Sequence, residues 1–195
     1  MKPFAESCEQ NKHAIFSIIK QEFSHSSNVL EIGSGTGQHA IFFAAQLRHL
    51  TWQPSEQNEN IPGILEWLKD YPYDNIPPPL TLNVTQEWPS QIFDGIFSAN
   101  TAHIMSWPEV KYLFKGVGNV LGSKGKFCLY GPFNYNKQFT SESNARFDRW
   151  LKDQNPTRGI RDFDDLNKVA KENNLIFERD IEMPENNRIL IWKKT

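Results

Sequence analysis

Three glycines at every second position, Gly33, Gly35 and Gly37, with an acid two residues ahead at Glu31, are the residues of this chain best spaced to meet a ligand. Glycine has no Cβ, so main chain and ligand can approach closely and the backbone can turn left-handed. Gly35 is expected at the point of closest approach, with Gly33 and Gly37 as the positions that need a positive φ. Glu31 selects among ligands, because a carboxylate at a strand end suits an amino group or a ribose hydroxyl and repels a pyrophosphate. Register separates the nucleotide readings. A dinucleotide fingerprint runs G-x-G-x-x-G or G-x-G-x-x-A from the strand end. Counted from Gly33, the sixth position is Gln38 and the fit fails; counted from Gly35, the run to Ala40 fits formally but starts two residues late. The pattern E-x-G-x-G-x-G matches at every position.

Further candidates lie at regular distances beyond the loop. Glu56 falls nineteen residues past Gly37, where an α/β nucleotide site places the acid that accepts hydrogen bonds from a ribose; the alternative is a surface glutamate. Asn83 both donates and accepts, so it can read an adenine edge with Val84 packed beside it. After Ala99 come Asn100 and His103. A histidine titrates near neutrality and suits a general base; the alternative is a packing histidine bonded to backbone. Phe133, Asn134 and Tyr135 form a polar and aromatic run suited to a substrate wall, with Tyr135 also a candidate for the chemistry. Arg161 can clamp a carboxylate or phosphate bidentately, or pair with Asp162 or Asp164 at a helix start. Phe4 sits in an N-terminal arm that could close over a ligand.

The elements that must position these residues follow from periodicity. Residues 29–32 read as a buried strand, and 37–47 as the helix after it. Residues 8–23 read as an earlier helix with Ile15, Ile18, Ile19 and Phe23 on its inner face. A second strand at 50–54 is stopped by Pro54. Ile61, Ile64, Leu65 and Leu68 mark a helix, 71–79 with its prolines an exposed connection, and 80–84 a third strand. A fourth strand at 91–99 precedes a helix opened by Pro108, with Val110, Leu113, Phe114, Val117 and Leu121 inward. A turn at 122–125 leads to a fifth strand at 126–131, and 132–139 has no period. Residues 141–152 form a helix with Phe147, Trp150 and Leu151 on one side, and Phe163, Leu166, Val169 and Ala170 define another. Strands at 175–177 and 188–192 flank a turn at 183–187. The result is an α/β chain: one mostly parallel sheet, helices on both faces, and a closing antiparallel pair.

Composition sets the boundaries. At 195 residues with 38% hydrophobic residues the chain can bury a sizeable core. A formal charge of −2 gives no field for nucleic acid or an anionic membrane. Two cysteines, Cys8 and Cys128, are too few and too far apart for a zinc motif or disulfide framework, so no metal is expected. The N-terminus lacks an apolar signal core, and no long apolar run occurs, so the expectation is a soluble, cytoplasmic protein. No repeat or linker appears. The expected organisation is one domain over 1–195, with 1–27 as arm and first helix and 132–160 as a substrate-side insertion.

Glu31-x-Gly33-x-Gly35-x-Gly37, Glu56, Asn83-Val84 and the exit of the fourth strand resemble class I S-adenosylmethionine-dependent methyltransferases. More narrowly, the chain resembles the methyltransferase-like protein 26 family, short proteins with no established substrate. That likeness rests on Lys2-Pro3-Phe4, Cys8-Glu9-Gln10-Asn11-Lys12, the glycine loop, Trp52-Gln53-Pro54-Ser55-Glu56, Asn100-Thr101-Ala102-His103-Ile104, Tyr130-Gly131-Pro132-Phe133, Gly159-Ile160-Arg161-Asp162 and Met183-Pro184-x-Asn186-Asn187. Glu56 and Asn83 depart from the pattern, each standing where an aspartate is expected. The resemblance implies a seven-stranded Rossmann-like methyltransferase fold, S-adenosyl-L-methionine as cofactor with S-adenosylhomocysteine as product, and cofactor contacts from Glu31, the three glycines, Glu56, Asn83, Val84 and Ala99.

The acceptor stays open. No Asn-Pro-Pro-Tyr or Asp-Pro-Pro-Tyr element follows the fourth strand, so methylation of a flipped nucleic-acid base loses its usual platform. A small molecule or protein is the preferred acceptor. The alternatives are a catalytically silent cofactor-binding partner subunit and, disfavoured by the glycine register, a nicotinamide-dependent oxidoreductase. The oligomeric state is not legible.

Overall fold

The computed structural model describes residues 2–195. In chain order the elements are α1 (Glu6–Glu22), β1 (Asn28–Ile32), α2 (Gln38–Gln46), β2 (Thr51–Glu56), α3 (Ile61–Leu68), β3 (Leu80–Thr81), β4 (Phe93–Ala99), α4 (Trp107–Val120), β5 (Leu121–Gly131), β6 (Phe133–Asn134), α5 (Glu142–Gln154), β7 (Arg161–Asp162), α6 (Phe163–Glu172), β8 (Leu175–Met183) and β9 (Asn187–Lys194). A 3₁₀ turn, Pro184–Asn186, joins the last two strands.

Seven strands form one sheet in the order β3-β2-β1-β4-β5-β9-β8. The first five are parallel, and β9 enters antiparallel beside β5 with β8 outside it. This is the expected mostly parallel sheet with a closing hairpin. Both faces are covered, which explains why β1 reads as a nearly continuous apolar run. Leu30 and Ile32 join the core shared with α4 and α6, while Val29 joins the core shared with α1 and α2. Glu31 points to that second face by the same alternation, and this decides its environment. Strand order reverses between β1 and β4, so the crevice for a ligand opens at their carboxyl ends.

Several local expectations need correction. Pro54 does not stop the second strand, which runs on to Glu56. Within β2, Trp52 N points outward to Asn75 O, and Pro54, two residues on, presents its missing N–H on that same outer side. There β3 begins pairing only at Ser55, so no ladder bond is lost. The third strand is two residues long, because Asn83 Oδ1 accepts from Thr85 N (3.0 Å) and Oγ1 (2.8 Å) and turns the chain early. The 122–125 turn survives as a bulge in β5: pairing jumps from Phe93–Leu121 to Gly95–Lys126. The segment after β5 is not wholly irregular, since β6 pairs in parallel with β7. On α5 Trp150 is exposed, whereas Asn144 and Asp148 are buried with Leu151. Among the described residues no helix is long and apolar enough to cross a membrane.

Candidate active site

The glycine loop is held by its neighbour strand. Gly33 N and Ser34 N both donate to Ser55 O at 3.0 Å, Gly37 N donates to Ser34 O at 2.8 Å, and Gly35 N donates to Glu56 Oε2 at 2.8 Å. All three glycines have positive φ, so Gly35 shares a property expected only of the other two. What sets Gly35 apart is space. A Cβ there would meet nothing within 4 Å, whereas one on Gly33 would lie 2.5 Å from Thr101 Cγ2. Gly35 therefore presents bare backbone to a cavity of roughly 670 Å³, within the size range of small-molecule sites. Gly35, Glu56, Ala99 and Asn100, at the strand ends, line this cavity together with Cys8 of α1 and Arg158.

Glu31 lies behind the loop. Its carboxylate is 2% exposed and accepts from Ser34 Oγ and Trp52 Nε1, each at 3.0 Å. Burial foremost, and the nearby Glu56 charge, push it up to about 7, against the opposing pull of the two hydrogen bonds. Asn83 spends its side chain on the turn described above, and Val84 packs in the core; both lie outside the cavity wall, where Val84 instead borders a groove beside Trp88.

At the exit of β4, Ser98 Oγ donates to Ile32 O (2.7 Å) and bonds Thr101 Oγ1 (2.7 Å). Asn100 takes φ +58, an αL position that asparagine tolerates, and its N donates to Tyr130 O. His103 is 7% exposed, its ring edge-on to Phe147 at 5.2 Å. Its carbonyl accepts from Gly159 N, but among the described residues its ring has no hydrogen-bond partner. Burial, then the charges of Arg161 and Arg158, lower it to about 4, so the imidazole is neutral at physiological pH. Arg161 is spent on the loop itself, donating to Ala102 O and Thr157 O, both at 3.0 Å, and to Met105 O. It straps the His103 loop and is no part of the wall of the cavity beside Gly35.

A second cavity, roughly 470 Å³, lies on the other side of Asn100. His103, Tyr130, Pro132 and Phe147 line it together with α1 and the Pro184–Asn186 turn. Ser7 and Asn100 border both cavities, so the two adjoin. The remaining candidates stand apart. Tyr135 donates its hydroxyl to Asp180 Oδ2 (2.6 Å) and stacks on Phe163, burial raising its pKa further from neutrality. Phe133 is core, and Asn134 borders a separate groove beside Trp107 with a buried Oδ1 that has no partner among the described residues. Phe4 is 61% exposed, on an arm pinned by Trp67 Nε1 to Pro3 O (2.8 Å) and by Ala5 N to Gln38 Oε1 (2.6 Å).

Sequence reasoning missed the contribution of α1. Ser7 and Asn11 lie four apart on one face, and Asn11 Oδ1 meets His39 Nε2 at 2.7 Å while Glu9 accepts from Gln38 Nε2 at 2.8 Å. These bonds dock α1 onto the start of α2 and roof both cavities. The signal was present as a polar run, Cys8 to Lys12, on a helix whose other face is apolar. Among the described residues no group of three or more His, Cys, Asp or Glu could hold a metal ion.

This topology and loop geometry define the Rossmann-like methyltransferase fold, and solved structures share it. Mitomycin 7-O-methyltransferase MmcR superposes with a TM-score of 0.84 at 14% identity, over 97% of this chain and 54% of its own. An O-methyltransferase family protein from Burkholderia thailandensis gives 0.85 at 10%, over 97% and 58%. Human N-acetylserotonin methyltransferase, solved in complex with SAM, gives 0.79 at 11%, over 97% and 53%. The chain thus spans little more than half the length of these proteins. The chain itself belongs to the family described as protein of unknown function DUF938, whose profile matches residues 2–194.

Proposed function

We propose that this protein is an S-adenosylmethionine-dependent methyltransferase, with cofactor in the larger cavity and a small-molecule acceptor in the smaller one. The observation that carries the reading is the adjacency of the two cavities across Ser7 and Asn100. The glycine loop and Glu56 lie on one side of that threshold, and on the other a neutral His103 whose ring has no hydrogen-bond partner among the described residues. The cofactor fits the residues present. Bare backbone at Gly35 leaves room for a close approach, and the Glu56 carboxylate lies beside it, able to accept from ribose hydroxyls. The glycine register, which departs from a dinucleotide fingerprint, argues against a nicotinamide cofactor. When bound, the cofactor supplies a methyl group on a sulfonium. The chain's own residues hold the acceptor in line, exclude water beneath α1, and take up a proton at His103 where the acceptor has one to lose.

The reading extends to the closer likeness with the methyltransferase-like protein 26 family, to a single domain over 1–195 with 132–160 on the acceptor side, and to a cytoplasmic protein. Its test is Glu56→Ala, followed by calorimetric titration with S-adenosylmethionine and with methionine. Affinity for the whole cofactor should fall by roughly 2–3 kcal/mol, the scale of hydrogen bonds to a charged acceptor, with methionine little affected. Equal loss for both ligands would withdraw the ribose assignment.

A further inference from the structure

We propose that the smaller cavity takes an uncharged aromatic ring bearing a hydroxyl, seated against Phe147 with the hydroxyl between His103 and Asn100. The inference rests on the methyltransferase reading and names its acceptor class. Charge narrows the class first. Among the described residues no lysine or arginine lines this cavity, and its one charged lining residue, Glu185, is exposed on the rim. An acceptor carrying a carboxylate or phosphate would find no counter-ion and would pass a negative charge on entry. Shape follows: Phe147, Tyr130, Pro132 and Pro184 offer flat apolar surface, and the Phe147 ring is already stacked on Trp150 at 5.9 Å.

Two polar side chains are free to meet the hydroxyl. Neither the His103 ring nor the Asn100 amide has a side-chain hydrogen bond among the described residues. Both flank Gly131: a Cβ there would lie 3.8 Å from His103 Nδ1 and 3.9 Å from Asn100 Oδ1, in ordinary contact, so only a larger side chain would press on the pair. The chemistry then favours an aromatic over an aliphatic alcohol. Burial and the charges of Arg161 and Arg158 make His103 a weak base, so the proton it takes must come from an acidic hydroxyl, and a phenol titrates near 10. Neither arginine lines this cavity to pair with an anion, but their field at His103 opposes an ammonium acceptor. In the transfer, the acceptor oxygen bonds the methyl carbon as the carbon–sulfur bond breaks, its electron pair staying on sulfur, and the hydroxyl proton passes to His103.

The experiment offers the full chain S-adenosylmethionine labelled in its methyl group with three probes at neutral pH. These are 7-hydroxy-4-methylcoumarin, 7-amino-4-methylcoumarin and 7-hydroxycoumarin-3-carboxylic acid, with S-adenosylhomocysteine binding measured in parallel. Label should enter the uncharged hydroxycoumarin at least tenfold faster in kcat/KM than either of the others. Phe147→Ala should raise KM. Gly131→Val should lower kcat at least tenfold, with Gly131→Ala, whose methyl makes only ordinary contacts, recovering most of it and both variants binding S-adenosylhomocysteine normally. Preference for the amine or carboxylate, or no labelling of the hydroxycoumarin by a protein that binds S-adenosylhomocysteine, overturns the acceptor class. Absence of S-adenosylhomocysteine binding overturns the methyltransferase reading instead.

Discussion

Replacing Glu31 by glutamine should remove a stability loss that the wild type suffers as pH rises. The carboxyl is raised by burial from 4.5 to about 7 in the folded chain, and it returns to its ordinary value on unfolding. Across that interval the folded state keeps a proton that the unfolded state has released. The contribution to stability is therefore complete below about pH 4.5 and is lost as pH climbs through about 7. At about 1.36 kcal/mol per pH unit the loss amounts to about 3 kcal/mol. His39 and His103 act in the opposite sense. Burial holds both near 4 against an ordinary 6.5, so their contribution is present above about 6.5 and lost as pH falls through about 4. The opposing slopes overlap, and only a comparison of variant with wild type isolates Glu31. The amide introduced by Glu31→Gln would keep an acceptor for Trp52 Nε1 and Ser34 Oγ but have no proton to lose. Urea titrations should find the two proteins within about 1 kcal/mol at about pH 5 and the variant ahead by about 3 kcal/mol at about pH 8. A difference that stays constant across that range refutes the reasoning.

Three further outcomes follow from the same geometry. His103→Ala should leave S-adenosylhomocysteine affinity within a few-fold and lower turnover by roughly 10²–10⁴, read by methyl-label transfer, with the wild-type rate falling only as pH drops towards about 4. Arg161→Leu should unstrap the 102–105 loop, costing roughly 2–4 kcal/mol in urea titration and depressing turnover, because carbonyls of Ala102, Met105 and Thr157 lose a charged donor. Gly35→Ala should cost about 1–2 kcal/mol for its left-handed φ and weaken S-adenosylhomocysteine at least tenfold in calorimetry; unchanged affinity would show that the loop does not face the ligand.

The sheet was legible in the sequence because parallel strands buried on both faces announce themselves as apolar runs, and the glycine loop because its spacing admits few backbones. The candidate site was legible only where it lies at strand ends. Glu56, Ala99, Asn100 and His103 follow directly from strand boundaries, and the structure gathers them around two adjoining cavities. Tyr135 and Arg161 were attractive by residue type alone. Their destinations, Asp180 and three main-chain carbonyls, depend on how the chain after β5 folds back, through pairings only two residues long. Such pairings leave no periodic trace. The polar face of α1 stayed hidden for a different reason: amides that roof a cavity have the same composition as amides that face water, and only docking onto α2 distinguishes them.

The central claim is that the larger cavity is built for S-adenosylmethionine. Calorimetric titration of the full chain with S-adenosylhomocysteine, and separately with NAD, tests it most directly. Saturable one-site binding of S-adenosylhomocysteine with a matching rise in Tm is expected, and no heat beyond dilution with NAD. Binding of NAD by a protein that does not respond to S-adenosylhomocysteine would contradict it.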